Sequence, residues 1–79
     1  MATLEGHEDC VFSLAVLAGG QLASGSRDQM IKIWDLATGA CVATLEGHED
    51  YVNSLAVLEG GKLASASEDG EIKIWNSAF

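Results

Sequence analysis

Shifted by 41 residues, the chain falls on itself. Leu4-Glu5-Gly6-His7-Glu8-Asp9 returns as Leu45-Glu46-Gly47-His48-Glu49-Asp50, Ser13 to Leu17 returns as Ser54 to Leu58, and Ile31-Lys32-Ile33-Trp34 returns as Ile72-Lys73-Ile74-Trp75. Residues 2–38 align with 43–79 without a gap, and 26 of those 37 positions are identical. Self-similarity at a fixed period means that each copy is one supersecondary unit unable to bury its apolar face alone. The 79 residues therefore hold two units, repeat 1 at about 2–42 and repeat 2 at about 43–79.

Each unit reads as four short strands. Val11 to Val16 is a β-branched apolar run, and Ala18-Gly19-Gly20 turns it back. Gln21 to Ser26 and Met30 to Asp35 alternate, with Lys32 on one face and Ile31 and Ile33 on the other. Ala37-Thr38-Gly39 turns, and Cys41 to Leu45 is the fourth strand. No 3.6-residue period persists, so the spacing predicts an all-β meander. With no proline and nine glycines, the turns are made by glycine.

Composition removes several classes. Four Lys and Arg against twelve Asp and Glu leave a net charge of −8, with no basic footprint for nucleic acid and a sign that an acidic membrane surface repels. The longest apolar run, Val11–Leu17 broken by Ser13, is far short of a membrane span. No export signal stands at the start. Cys10 and Cys41 make no disulfide framework, which fits a soluble protein of a reducing compartment such as the cytoplasm and leaves the localisation open.

Gly6-His7, then Leu22 to Asp28, then Ile31-Lys32-Ile33-Trp34-Asp35 resembles the WD-repeat β-propeller family, over the whole chain and in two copies. The resemblance implies four-stranded antiparallel blades arranged radially around a channel, used as a rigid platform and not for catalysis. Two departures stand out. Trp75-Asn76 replaces Trp-Asp in the second copy, and Gly19-Gly20 and Gly60-Gly61 replace a proline-containing turn.

The resemblance also implies a structural hydrogen-bond relay: His7, Ser24, Asp28 and Trp34 in the first copy, and His48, Ser65, Asp69 and Trp75 in the second. In it the aspartate orients the histidine, the histidine bonds the serine, and the serine accepts from the indole N–H. A buried indole needs such an acceptor and a buried histidine needs both nitrogens occupied. Ser26 lies on the same strand face as Ser24 and is the alternative member. Read as a Ser/His/Asp set, the same residues lack a nucleophile elbow, so no catalytic residue is expected.

Glu8, Asp9, Glu49 and Asp50 sit beside histidines, but adjacent loop residues cannot all point at one ion, so no metal is expected. No Gly-Lys-Ser/Thr follows the glycine pairs, so they are hairpin turns needing positive φ and not a phosphate loop; no cofactor is expected. The positions where the copies differ suggest a partner face. Cys10, Phe12 and Arg27 in the first copy correspond to Tyr51, Asn53 and Glu68 in the second, near loops that open on one side of such propellers. A protein or peptide partner held there is the alternative to a purely self-assembling scaffold.

The repeat phase gives an assembly expectation. Met1 corresponds to Val42 and Ala2-Thr3-Leu4 to Ala43-Thr44-Leu45, while Phe79 corresponds to Thr38. Residues 1–5 then supply the outer strand to a neighbouring chain's second blade, and head-to-tail contacts close only as a ring. Two-blade chains allow even totals, and eight blades are favoured: a homotetramer, with trimer and pentamer as the other closures. Such a ring would carry four times −8.

Overall fold

The computed structural model describes residues 3–76. It is two antiparallel sheets in chain order. The first contains β1 (Val11–Leu17), β2 (Gln21–Ser26), β3 (Ile31–Asp35) and β4 (Cys41–Leu45), ordered β1-β2-β3-β4. The second contains β5 (Val52–Val57), β6 (Leu63–Ser67) and β7 (Ile72–Trp75), ordered β5-β6-β7, with one 3-10 turn at Glu59–Gly61. Every strand of the first sheet lies within one residue of the span its alternation predicts. Among the described residues no helix is long and apolar enough to cross a membrane.

Local chemistry sets the turns. Gly19 and Gly20 have φ of 76° and 74°, and Gly60 and Gly61 have 77° and 75°, conformations that a Cβ disfavours. The pairing register slips between Val11 and Ser13 and, at the same place in the second sheet, between Val52 and Ser54. The repeat thus preserves an irregularity as well as its strands.

The core lies between the sheets. Ala23, Ile31 and Ile33 of the first sheet are fully buried against Val52 and Leu63 of the second, with Leu17 completing the cluster. Alternation fixes which faces meet. The first sheet contributes the face of Ala15, Ala23, Ile31 and Ile33, and the second contributes the face of Val52, Leu55, Leu63 and Trp75. The other face of the second sheet is open, and that of the first is open at Val11, Leu14 and Val16 but covered at Ser24, Ser26 and Trp34. Ile72 and Ile74 are 69% and 56% exposed, whereas their counterparts Ile31 and Ile33 are at 0%. On the first sheet Val11, Leu14 and Val16 are exposed, although Val52, the counterpart of Val11, is wholly covered.

Thr3 and Leu4 pair with no strand of their own chain, and Leu4 lies over the turn at Gly39. Ala2, the third residue assigned to the interchain strand, lies outside the described residues.

Candidate structural relay and junction site

The first sheet brings four polar side chains into one line. His7 stands in the segment before β1, Asp28 in the turn after β2, Ser24 in the middle of β2 and Trp34 on β3. His7 Nδ1 lies 2.9 Å from Asp28 Oδ2, and its Nε2 lies 2.6 Å from Ser24 Oγ. Trp34 Nε1 donates to the same Ser24 oxygen at 2.8 Å. Because a carboxylate only accepts, the neutral ring carries its proton on Nδ1 and accepts the serine hydroxyl at Nε2. Ser24 is the relay serine. Ser26 instead donates to the carbonyl of Cys10 at 2.9 Å and accepts from the amide of Asp28 at 3.1 Å.

Asp28 is the hub. It also accepts from the amides of Glu8 at 3.0 Å and Met30 at 2.9 Å, and so fastens the segment before β1 to the β2–β3 turn. Burial pushes its carboxyl up, but the bonds from His7, Glu8 and Met30 outweigh this and hold it below the usual carboxylate range. Sequence pattern alone did not reveal the two backbone donors.

The second sheet repeats half of the line. His48 Nε2 lies 2.6 Å from Ser65 Oγ, and Trp75 Nε1 donates to that oxygen at 2.7 Å. The expectation that Asp69 orients His48 is corrected here. Ser67 donates its hydroxyl to Asp69 at 2.7 Å, and the amide of Glu71 donates to the same carboxylate oxygen at 3.0 Å. The Ser67 hydroxyl and then the Glu71 amide hold the Asp69 carboxyl below its ordinary value. His48 Nδ1 is buried without a hydrogen bond; Glu71 Oε1 stands 4.0 Å away, itself 3.4 Å from Lys73 Nζ. Burial first, then the Lys73 charge, lowers the His48 pKa.

These geometries lock loops to strands. Ser24 is 3% exposed, and its oxygen is shared between an indole and an imidazole, so no substrate reaches it. Glu8, Asp9, Glu49 and Asp50 do not gather: among the described residues no three His, Cys, Asp or Glu side chains converge as a metal site.

The six residues expected on a partner face are linked by contacts near the meeting of the two sheets. The Arg27 guanidinium lies 4.9 Å from the Tyr51 ring centroid, and Phe12 is tilted against Tyr51 at 6.2 Å. Asn53 donates to Glu68. Arg27 also stands 3.9 Å from Asp9. Cys10 is exposed and free, and its carbonyl accepts from the amide of Arg27 at 2.9 Å.

The model of the WD domain, G-beta repeat, matches residues 1–35 and again 39–76. The chain belongs to the WD-repeat family. The vegetative incompatibility protein HET-E-1 of Podospora anserina is 60% identical over 38 residues, 47% of this chain and 3% of that protein. The ribosome biogenesis protein BOP1 of Mus musculus is 53% identical over 38 residues, 47% of this chain and 5% of that protein. Among solved structures, the crystal structure of the computationally designed Ika4 protein is similar, with a TM-score of 0.82 and 32% identity. That match covers 94% of this chain and 45% of that one. The chain therefore spans a small share of these curated relatives and under half of the designed one. The two sheets of this WD-repeat chain are propeller-like blades.

Proposed function

We propose that this chain is a non-catalytic WD-repeat scaffold that assembles head to tail with copies of itself into a closed β-propeller. The observation that carries the reading is the match between its open faces and its own interior. Ala56, Ala64, Ile72 and Ile74 on the open face of blade 2 are the counterparts of Ala15, Ala23, Ile31 and Ile33, which blade 1 buries against blade 2. Val11, Leu14 and Val16 on the open face of blade 1 are the counterparts of Val52, Leu55 and Val57 in blade 2. A second copy thus offers each open face a partner like the one the blades give each other within the chain, apart from the positions at which the repeats differ. Burying a large aliphatic side chain contributes about 1.5–3 kcal/mol, so Ile72 and Ile74 alone favour association substantially.

A strand exchange fits the same reading. β7 is the outer edge of a three-stranded sheet, while β4 covers the corresponding edge of blade 1. Ala2, Thr3 and Leu4 repeat Ala43, Thr44 and Leu45 of β4. The segment 1–5 of one copy would lie along β7 of the next. Heterologous contacts of this kind close as rings, and eight blades from four chains is the favoured closure. Native mass spectrometry tests it: the expected mass is about 33 kDa, four copies of 8.3 kDa, and a stable 8.3 kDa monomer overturns the reading.

A further inference from the structure

The eleven positions at which the two copies differ are not spread evenly. Four pairs, Cys10/Tyr51, Phe12/Asn53, Gly25/Ala66 and Arg27/Glu68, include the residues that meet across the intrachain junction: Gly25 seats Val52, and Arg27 and Phe12 contact Tyr51. Their contacts across the intrachain junction are specific. A Cβ built on Gly25 would lie 2.6 Å from Val52 Cγ1 and 3.2 Å from its Cβ, closer than carbon atoms approach. Valine is stiff about χ1, so this seat exists because residue 25 is glycine. Beside it Arg27 covers Tyr51, and Phe12 leans on the same ring.

Applied to the next junction, the repeat gives a different surface. Blade 2 presents Ala66 where blade 1 has Gly25, and Glu68 where blade 1 has Arg27. A second copy would bring Val11 to the place of Val52 and Cys10 to the place of Tyr51. Ala66 carries the Cβ that the intrachain seat excludes. Glu68 finds Cys10 where Arg27 finds the Tyr51 ring, and its own blade has Asp50 at the place of Asp9, the acid beside Arg27.

Resting on the self-assembly reading, we infer that Gly25/Ala66 and Arg27/Glu68 make two unlike junctions, tight within a chain and looser between chains, so that the ring opens between copies and not within them. Residue 66 sets the strength of the contact between copies through the volume of its side chain. The intrachain blade pair is the durable unit and the ring is its reversible assembly.

The experiment is dilution of the full chain with native mass as the readout, for the wild type and a series at residue 66. Ala66→Gly should hold the assembly down to about tenfold lower concentration, and Ala66→Val should release it at about tenfold higher concentration. Valine raises strand propensity, so weaker assembly of that variant cannot be assigned to a poorer strand. A second variant, Glu68→Arg with Cys10→Tyr, rebuilds the Arg27/Tyr51 pair between copies and should also strengthen the ring. An assembling wild type whose dissociation concentration is unmoved, or moved the other way, across the residue-66 series overturns the junction inference alone. A wild type that stays monomeric at every concentration overturns the self-assembly reading and this inference with it.

Discussion

Ser67 donates its hydroxyl to Asp69 at 2.7 Å, and in the same blade His48 Nδ1 is buried without a hydrogen-bond partner. In blade 1 the equivalent hydroxyl, that of Ser26, points at the Cys10 carbonyl instead, and Asp28 is free to take His7 at 2.9 Å. A hydroxyl has one proton to give. The blade whose serine hydroxyl points away from the aspartate is the one with the complete relay. Ser67→Ala should release the Asp69 carboxylate toward His48 and raise the His48 pKa. An NMR titration of the two imidazoles checks this, and an unmoved His48 curve contradicts it.

The complete and incomplete relays should differ in strength. His7→Ala removes bonds to both Asp28 and Ser24, whereas His48→Ala removes only the bond to Ser65. Leaving a buried polar partner unsatisfied costs about 1–3 kcal/mol, so both variants should lower the melting temperature and His7→Ala should lower it further. Thermal unfolding followed by circular dichroism reads the order.

Stability should fall with acid in two steps. The folded His48 pKa lies below the ordinary 6.5, so the unfolded chain binds the proton first. This contribution is complete above about pH 6.5 and is lost as pH falls below it. Asp28 is depressed below 3.8, so its contribution is present above that value and is lost as pH falls through the folded pKa. His48→Gln should remove the first step and Asp28→Asn should reduce the second, which Asp69 shares, in melting temperatures measured from pH 8 to 3.

Equivalent isoleucines should have unlike roles. Ile31→Ala opens a cavity in the core between the blades and should destabilise the fold by about 2–5 kcal/mol. Ile72→Ala acts on a side chain that is 69% exposed in the single chain, so it should reduce assembly and leave the unfolding of the dissociated chain nearly unchanged. Chemical denaturation at low and high protein concentration separates the two effects.

Salt should strengthen the assembly. Each chain carries −8, and the four cations cannot balance twelve carboxylates brought together in a ring. Screening lengths shorten to about 8 Å at physiological ionic strength, which weakens repulsion between surface charges. The melting temperature should therefore rise from low to physiological salt; a fall would show that ion pairs between copies outweigh the repulsion.

The sequence by itself determined the repeat and the strands, and its family resemblance pointed to His7, Asp28 and Trp34 for the relay of blade 1 while leaving the serine open. Period-2 alternation, glycine pairs in the turns and the 41-residue shift are local or self-referential properties, readable without knowing what touches what. Tertiary structure decided the rest. Ser24 and Ser26 have the same periodicity, and only the approach of the Trp34 indole and the His7 ring selects Ser24. Asp28 and Asp69 are the same residue at the same place in the repeat, yet one meets a histidine and the other a serine, because a hydroxyl rotor obeys its three-dimensional surroundings. Ile31 and Ile72 likewise stand at the same place in the repeat, and what separates full burial from exposure is whether another blade stands in front of them.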